Sequence, residues 1–169
     1  VPSKNSSQFL GQCLESIKNQ TYKNIELIVV DNNSTDNTKE IAKRYTKLVF
    51  NKGPERSTQR NFGAKKSKGK YFLFIDSDMI LTPKVVEECI WKTNENDTKA
   101  IIIPEISIGE GFWTKCKALE KQCYIGDDDI EAARFFERKI SSDFNGYDEL
   151  MSAGGEEWDL PQRIKERPD

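Results

Sequence analysis

The sequence predicts an α/β protein with a mostly parallel central sheet. Through residue 104, short apolar runs alternate with segments of helical periodicity, the beat of βαβ units. Runs such as "LIVV" and "YFLFI" are continuously apolar rather than alternating, as strands covered on both faces are. Polar clusters follow where these runs end, which is where ligands bind in sheets of this kind.

Ser6-Ser7 can cap a first helix whose apolar positions Phe9, Leu10, Cys13, Leu14 and Ile17 recur at helical spacing. Ile25 to Val30 is a β-branched run and reads as a buried strand. Ser34 then caps a second helix carrying Ile41, Ala42 and Tyr45. Lys47 to Phe50 is a short strand, Arg56 to Lys68 a basic helix containing Gly63-Ala64, and Tyr71 to Ile75 the next strand. Thr82 is placed as an N-cap with Pro83 at the first helical position, ahead of Val85, Val86, Cys89 and Ile90. Ala100 to Ile103 is a further strand. Beyond residue 104 the beat breaks. A Gly109-Glu110-Gly111 loop precedes an amphipathic helix marked by Phe112, Cys116, Leu119 and Cys123. An acidic loop at 126–129, an apolar patch at Ala132 to Phe136 and a loop rich in Asp and Gly follow. A short helix is expected from near Asp159, with Pro161 in its first turn.

The 169 residues suit one domain with a real core. No linker or repeat divides it, so the expectation is a regular half at 1–104 and an irregular half at 105–169. The abrupt opening on Val1-Pro2 and the end at Asp169 suggest truncation at one or both ends. A net charge of −2 argues against a nucleic-acid binder working by bulk charge. With no signal peptide, and no apolar run near the roughly 20 residues that cross a bilayer, the expected location is cytoplasmic. Attachment to the cytoplasmic face of a membrane would have to come through segments outside this chain. The four cysteines, Cys13, Cys89, Cys116 and Cys123, form no Cys-x-x-Cys pair and are expected to be reduced core residues. The chain has no histidine, which removes Ser-His-Asp and Cys-His nucleophiles and most zinc sites. Chemistry must therefore run on carboxylates, lysines, hydroxyls or a metal held by oxygen.

"FLFIDSDMI" concentrates the question. Residues i and i+2 of an extended strand share a side, so Asp76 and Asp78 are expected to project together. Close carboxylates repel. Mg²⁺ or Mn²⁺ relieves that repulsion, taking one or two carboxylates plus phosphate oxygens of a substrate. The alternative is a polar turn with both aspartates solvated or capping the next helix. Asp31-Asn32-Asn33 at another strand end favours the metal–nucleotide site.

These residues sit within a longer pattern. "VPSKN", "IELIVVDNNSTDNT", "GPERSTQRNFGAKKSKGKYFLFIDSDM" and "FNGYDELMSAGGEEWDLPQRI" follow one another in the order seen in family 2 glycosyltransferases, which the chain resembles over nearly its whole length. The resemblance implies a GT-A-type three-layer α/β/α sandwich. It implies that residues 1–104 bind a nucleotide-sugar, and that 105–169 bind the acceptor and supply the base. Pro2, Ser3, Asn5, Asp31, Asn33, Arg60, Asn61, Asp76 and Ser77 would then line the nucleotide site. Asp78, with Asp76, would hold Mn²⁺ or Mg²⁺. Ser34 would shape the pocket as well as cap, and Gly63 would let backbone approach the nucleotide. The implied reaction is inverting transfer from a nucleoside-diphosphate sugar, UDP-sugar by default, to the hydroxyl of a glycan, lipid-linked or other acceptor. A general base is needed, and Glu157, Glu156 and Asp159 are the candidates. Here the chain departs from the family, which has Glu-Asp where this sequence has Glu-Glu; Glu157 holds the base position. Trp158 could stack on an acceptor sugar or pack with Leu160, and Asp127-Asp128-Asp129 reads as a solvated loop. Gln162-Arg163 lacks the spacing of the processive synthases' Gln-x-x-Arg-Trp. Two rivals stay open: a nucleotidyltransferase, although "VPSKNSS" lacks a glycine-rich triphosphate loop, and a non-catalytic nucleotide- or glycan-binding domain.

Overall fold

The computed structural model describes residues 1–96, 98–126, 131–151 and 155–166, with the backbone alone for 140–142 and 156. Three parallel strands form one sheet in the order β1 (Pro2–Ser3), β2 (Val29–Asp31), β3 (Val49–Asn51). Alternation along β2 distributes its neighbours. Val29 packs with Leu10, Cys13, Leu14 and Ala42 of α1 (Leu10–Lys18) and α2 (Thr38–Tyr45). On the other face Val30 meets Gly63 of α3 (Arg56–Lys66), where an added Cβ would touch the Val30 methyl at 3.4 Å. Gly63 therefore serves helix-on-strand packing.

A second sheet has the order β4 (Tyr71–Leu73), β6 (Ala133–Glu137), β5 (Ala100–Ile102). β6 is antiparallel to both neighbours. The apolar patch at Ala132 to Phe136 is thus the middle strand of a sheet, and the parallel pairing is that of β1 to β3. Phe72, Phe74, Phe136, Tyr147 and Leu160 share one core, the last from α7 (Glu156–Glu166). Phe135 and Ile101 turn the other way, onto Cys89 of α4 (Val85–Asn96). The observed layers, helices against a mostly parallel β1–β3 sheet, match the GT-A architecture expected.

Several boundaries move for identifiable reasons. α2 begins at Thr38, and its start is held by Asp36 rather than Ser34: Asp36 accepts from the Thr38 N–H at 3.0 Å and the Ser7 N–H at 3.1 Å. Ser34 turns its hydroxyl to Asp31 instead. α4 starts at Val85, not Pro83: the Gln20 side chain stands between the Thr82 carbonyl and the Val86 N–H, donating to the first at 2.8 Å and accepting from the second at 3.1 Å. α7 starts at Glu156, which puts Pro161 inside the helix, where it has no N–H for the Glu157 carbonyl. α6 (Arg138–Asp143) was not foreseen.

α5 (Phe112–Cys123) follows the expected period, yet none of its residues is buried. Thr114 and Ala118 are its half-buried positions, while Phe112, Cys116, Leu119 and Cys123 are exposed. Two of the four cysteines are therefore not core residues. Cys13 and Cys89 are, and burial pushes each thiol up to about 11, away from thiolate chemistry. Among the described residues, no helix is long and apolar enough to cross a membrane.

Candidate active site

Three loops at the carboxyl ends of β1, β2 and β4 are laced into one rim. Asn5 donates its N–H to the Ser34 hydroxyl at 2.8 Å, and its side-chain oxygen accepts from the Thr35 N–H at 2.9 Å. Asn5 and Asn33 both sit at positive φ, +47° and +49°, a conformation asparagine tolerates better than most residues. Asn33 is exposed and exchanges hydrogen bonds with Asn51. Pro2 and Ser3 are buried, and the Ser3 hydroxyl lies 3.4 Å from Asp31. Asp31 itself is fully buried: it accepts from the Ser34 N–H at 2.8 Å and from the Ser34 hydroxyl, and lies 3.5 Å from Lys39. Ser77 closes the rim by donating to the Ser6 hydroxyl at 2.8 Å. The polar clusters that the sequence scattered over 77 positions are one surface here.

The aspartates at 76 and 78 do not lie on an extended strand. β4 ends at Leu73, and the Met79 N–H closes a turn onto the Asp76 carbonyl at 3.1 Å. Alternation still fixes where Asp76 emerges: Phe72, Phe74 and Asp76 share a side, the one covered by α7. There Asp76 meets two arginines. Arg60 Nη2 is 2.9 Å from its Oδ1, and Arg134 Nη1 is 3.3 Å from its Oδ2. Burial pulls the Asp76 carboxyl upward, but Arg60 and Arg134 hold it below its ordinary value. The charge that seemed to require a cation is neutralised by the protein. Asp78, two residues on, is exposed.

Glu157, the second residue of α7, completes the arrangement. The same Arg60 Nη2 that holds Asp76 lies 2.8 Å from Glu157 Oε1, and Arg134 Nη2 lies 3.6 Å from Oε2. Arg60 is almost entirely buried, and its ring-facing side lies 5.3 Å from the Tyr147 centroid. Burial disfavours its charge, yet Asp76, Tyr147 and Glu157 carry its pKa above the ordinary value. Its Nη2 is thus committed within the chain, to Asp76 and Glu157. Two of its nitrogens, Nε and Nη1, have no hydrogen-bond partner among the described residues.

The other candidates fall on either side of this cluster. Asn61 points into the loop after α6, donating to the Tyr147 carbonyl at 2.8 Å and to Glu149 at 3.0 Å, and accepting from the Tyr147 N–H at 2.9 Å. Thr58 adds a bond to Glu149 at 3.0 Å. Asp159 is held by Arg163 at 2.6 and 3.0 Å, chiefly through these bonds its carboxyl stays low, and Arg163 also donates to the Gly146 carbonyl at 2.6 Å. Asn61 and Asp159 therefore fasten the loop. Trp158 is exposed beside Glu157, whereas Leu160 is the residue that enters the core. The Glu156 side chain and Asp127, Asp128 and Asp129 lie outside the described residues.

Gly146 is the tightest point of that loop. Its φ is +70°, and a Cβ there would collide with the Asn61 side-chain oxygen. Gly146→Ala is expected to destabilise the protein by about 1–3 kcal/mol, since it combines strain with the loss of the Asn61 anchor. Urea unfolding would measure it, and an unchanged midpoint would show that the loop is not anchored there.

Arg134, Glu105 and Glu149 were not singled out from the sequence. The signal for Arg134 was present: an arginine inside an apolar strand must be paired.

Known proteins share both sequence and fold. Glycosyltransferase GlyG of Streptococcus pneumoniae serotype 4 is 33% identical over 109 residues, 60% of this chain and 36% of GlyG. The crystal structure of S. aureus TarS 1-349 superposes with a TM-score of 0.78 at 18% identity, covering 94% of this chain and 52% of that one; TarS 1-349 has also been solved with UDP and with UDP-GlcNAc. Mannosyltransferase PcManGT from Pyrobaculum calidifontis, solved with GDP-Man and Mn²⁺, gives a TM-score of 0.71 at 16% identity, covering 96% of this chain and 50% of that one. This chain thus spans about a third of GlyG and about half of either solved chain. The sequence profile of glycosyl transferase family 2 matches residues 1–147. Matched through its regular half and on past β6 to the loop at Tyr147, the chain belongs to glycosyl transferase family 2.

Proposed function

We propose that this chain forms the donor-binding and base-bearing part of a metal-dependent, inverting glycosyltransferase. It would move a sugar from a nucleoside-diphosphate sugar to an acceptor hydroxyl. The observation that carries the reading is the meeting of Asp76 and Glu157 on one guanidinium nitrogen, beside the rim built by Ser3, Asn5, Asp31, Asn33 and Ser77. A donor on that rim would lie beside both carboxylates, near the Asp76–Asp78 turn and the Glu157 base together.

The donor set fits a metal held jointly with substrate. Among the described residues no three acidic, cysteine or histidine groups form a cage. Mg²⁺ or Mn²⁺ in nucleotide sites needs only one or two carboxylates, with phosphate oxygens and water completing the shell. Asp76 is committed to arginines, so exposed Asp78 would be the direct ligand and Asp76 its neighbour. When bound, the cation supplies positive charge against the departing diphosphate. Glu157 takes the proton of the acceptor hydroxyl, whose oxygen bonds to the sugar C1 while the C1–O bond to the diphosphate breaks and its electron pair leaves with the nucleotide. Trp158, exposed at the next position of α7, offers an apolar face to an acceptor sugar. UDP is favoured as the donor nucleotide by the TarS complexes, with GDP the alternative set by PcManGT. The acceptor is a glycan, lipid-linked or other hydroxyl bound by the 105–169 half. The cytoplasm remains the expected compartment.

Incubation with UDP-GlcNAc or GDP-Man and Mn²⁺, followed by proton NMR of the released sugar, tests the reading. Inversion at C1 and loss of turnover with chelator are expected; retention of configuration would contradict direct transfer.

A further inference from the structure

We infer that Arg134 is a positioning residue that couples the Asp76 turn to the α7 helix carrying Glu157. The inference rests on Glu157 being the base.

Backbone geometry aims this side chain. β5 and β6 pair Ile101 with Phe135 but Ile102 with Ala133, so the ladder skips one residue, and that residue is Arg134. Such bulges bend a strand and redirect the extra side chain, and they recur beside active sites. On its other edge Arg134 is tied to the residue just past β4, where its carbonyl accepts the Phe74 N–H at 3.0 Å. The residue is therefore bonded through its main chain to the segment two positions before Asp76, and through its side chain to Asp76 itself. Phe135 and Phe136, both buried, fix its base in the sheet.

The guanidinium then spans three segments. Nε bonds Glu105 in the loop after β5, Nη1 faces Asp76 at 3.3 Å, and Nη2 faces Glu157 at 3.6 Å. Burial works against its charge, but the three carboxylates raise its pKa above the ordinary value. A planar fork can address several carboxylates at fixed angles, which a lysine cannot. Arg60 also joins Asp76 to Glu157, but reaches both through a single nitrogen and has no bond to Glu105. Removing Arg134 would leave Glu157 Oε2 without this partner and α7 without this charged link to β6, its packing through Leu160 remaining. Displacement of a base by about 1 Å can cost about a hundredfold in rate.

The test is a double-substitution cycle on the purified chain. Turnover is read as UDP released from UDP-GlcNAc with Mn²⁺, water serving as acceptor: water oxygen bonds to C1, the diphosphate leaves, and Glu157 takes the proton. Arg134→Gln is expected to lower kcat by about a hundredfold, and Arg134→Lys to recover part of that loss. Calorimetric affinity for UDP should change by less than about threefold. In a Glu157→Gln background the same Arg134→Gln change should cost less than about threefold, because a residue acting through Glu157 has nothing left to position. An equal loss in both backgrounds, or lost UDP affinity with kcat intact, overturns the coupling. Full turnover in Glu157→Gln alone overturns instead the assignment of the base. If Arg134→Gln does not fold, Arg134→Lys enters the same cycle with the same two criteria.

Discussion

Arg60→Met is expected to destabilise the protein by about 3–5 kcal/mol, the usual cost of removing one partner from a buried ion pair. Arg60 Nη2 lies within 2.9 Å of both Asp76 and Glu157, and the arginine side chain is 1% exposed. Methionine fills similar space but leaves two carboxylates, each less than one-fifth exposed, to the longer contacts with Arg134 at 3.3 and 3.6 Å and, for Glu157, Arg56 at 3.9 Å. Asp76→Asn added to Arg60→Met should recover part of the loss, because an amide costs less to bury than a carboxylate. Urea denaturation of the three variants measures this. A loss under about 1 kcal/mol for Arg60→Met would place the network in the class of exposed ion pairs.

Glu157→Gln should cut turnover by about 10²–10⁴-fold, the range ascribed to a general base, with UDP affinity close to the parent's. Glutamine is nearly isosteric and its side-chain oxygen can still accept from Arg60, so the fold should persist while proton acceptance is lost. Asp159→Asn serves as the comparison. Asp159 is fastened to Arg163 and the Asp148 N–H, so its substitution should lower stability before it lowers kcat. A reversed pattern, with Asp159→Asn inactive at full stability and Glu157→Gln active, would move the base two residues along α7.

Much of this was legible in the sequence because it is local. Apolar runs marked the strands, and Asp76-Ser77-Asp78 stood out at the end of one. Glu157 was picked out from its place in the family's pattern. What sequence reasoning missed depends on which elements meet. Asp76 and Asp78 were expected to need a cation because two carboxylates on one side of a strand repel. The neighbours of Asp76, Arg60 and Arg134, come from α3 and β6, and Arg134 was hidden in a run read as an apolar patch. Ser34 and Asp36 are both capable caps in one turn. The choice fell to Asp36, since Ser7 of α1's approach also donates to it, while Ser34 was drawn to Asp31. The stripe on α5 was periodic as read, but periodicity does not say which face packs inward. Thr114 and Ala118 do so, and the apolar residues face out.

The most direct measurement is calorimetric titration of UDP into the parent and into Asp78→Asn, each with and without Mn²⁺. Metal-dependent binding by the parent that is lost in Asp78→Asn is the expected result, because Asp78 is the exposed carboxylate beside a neighbour already held by arginines. Binding that is equally tight without Mn²⁺, or unchanged in Asp78→Asn, would contradict a donor site built on that turn.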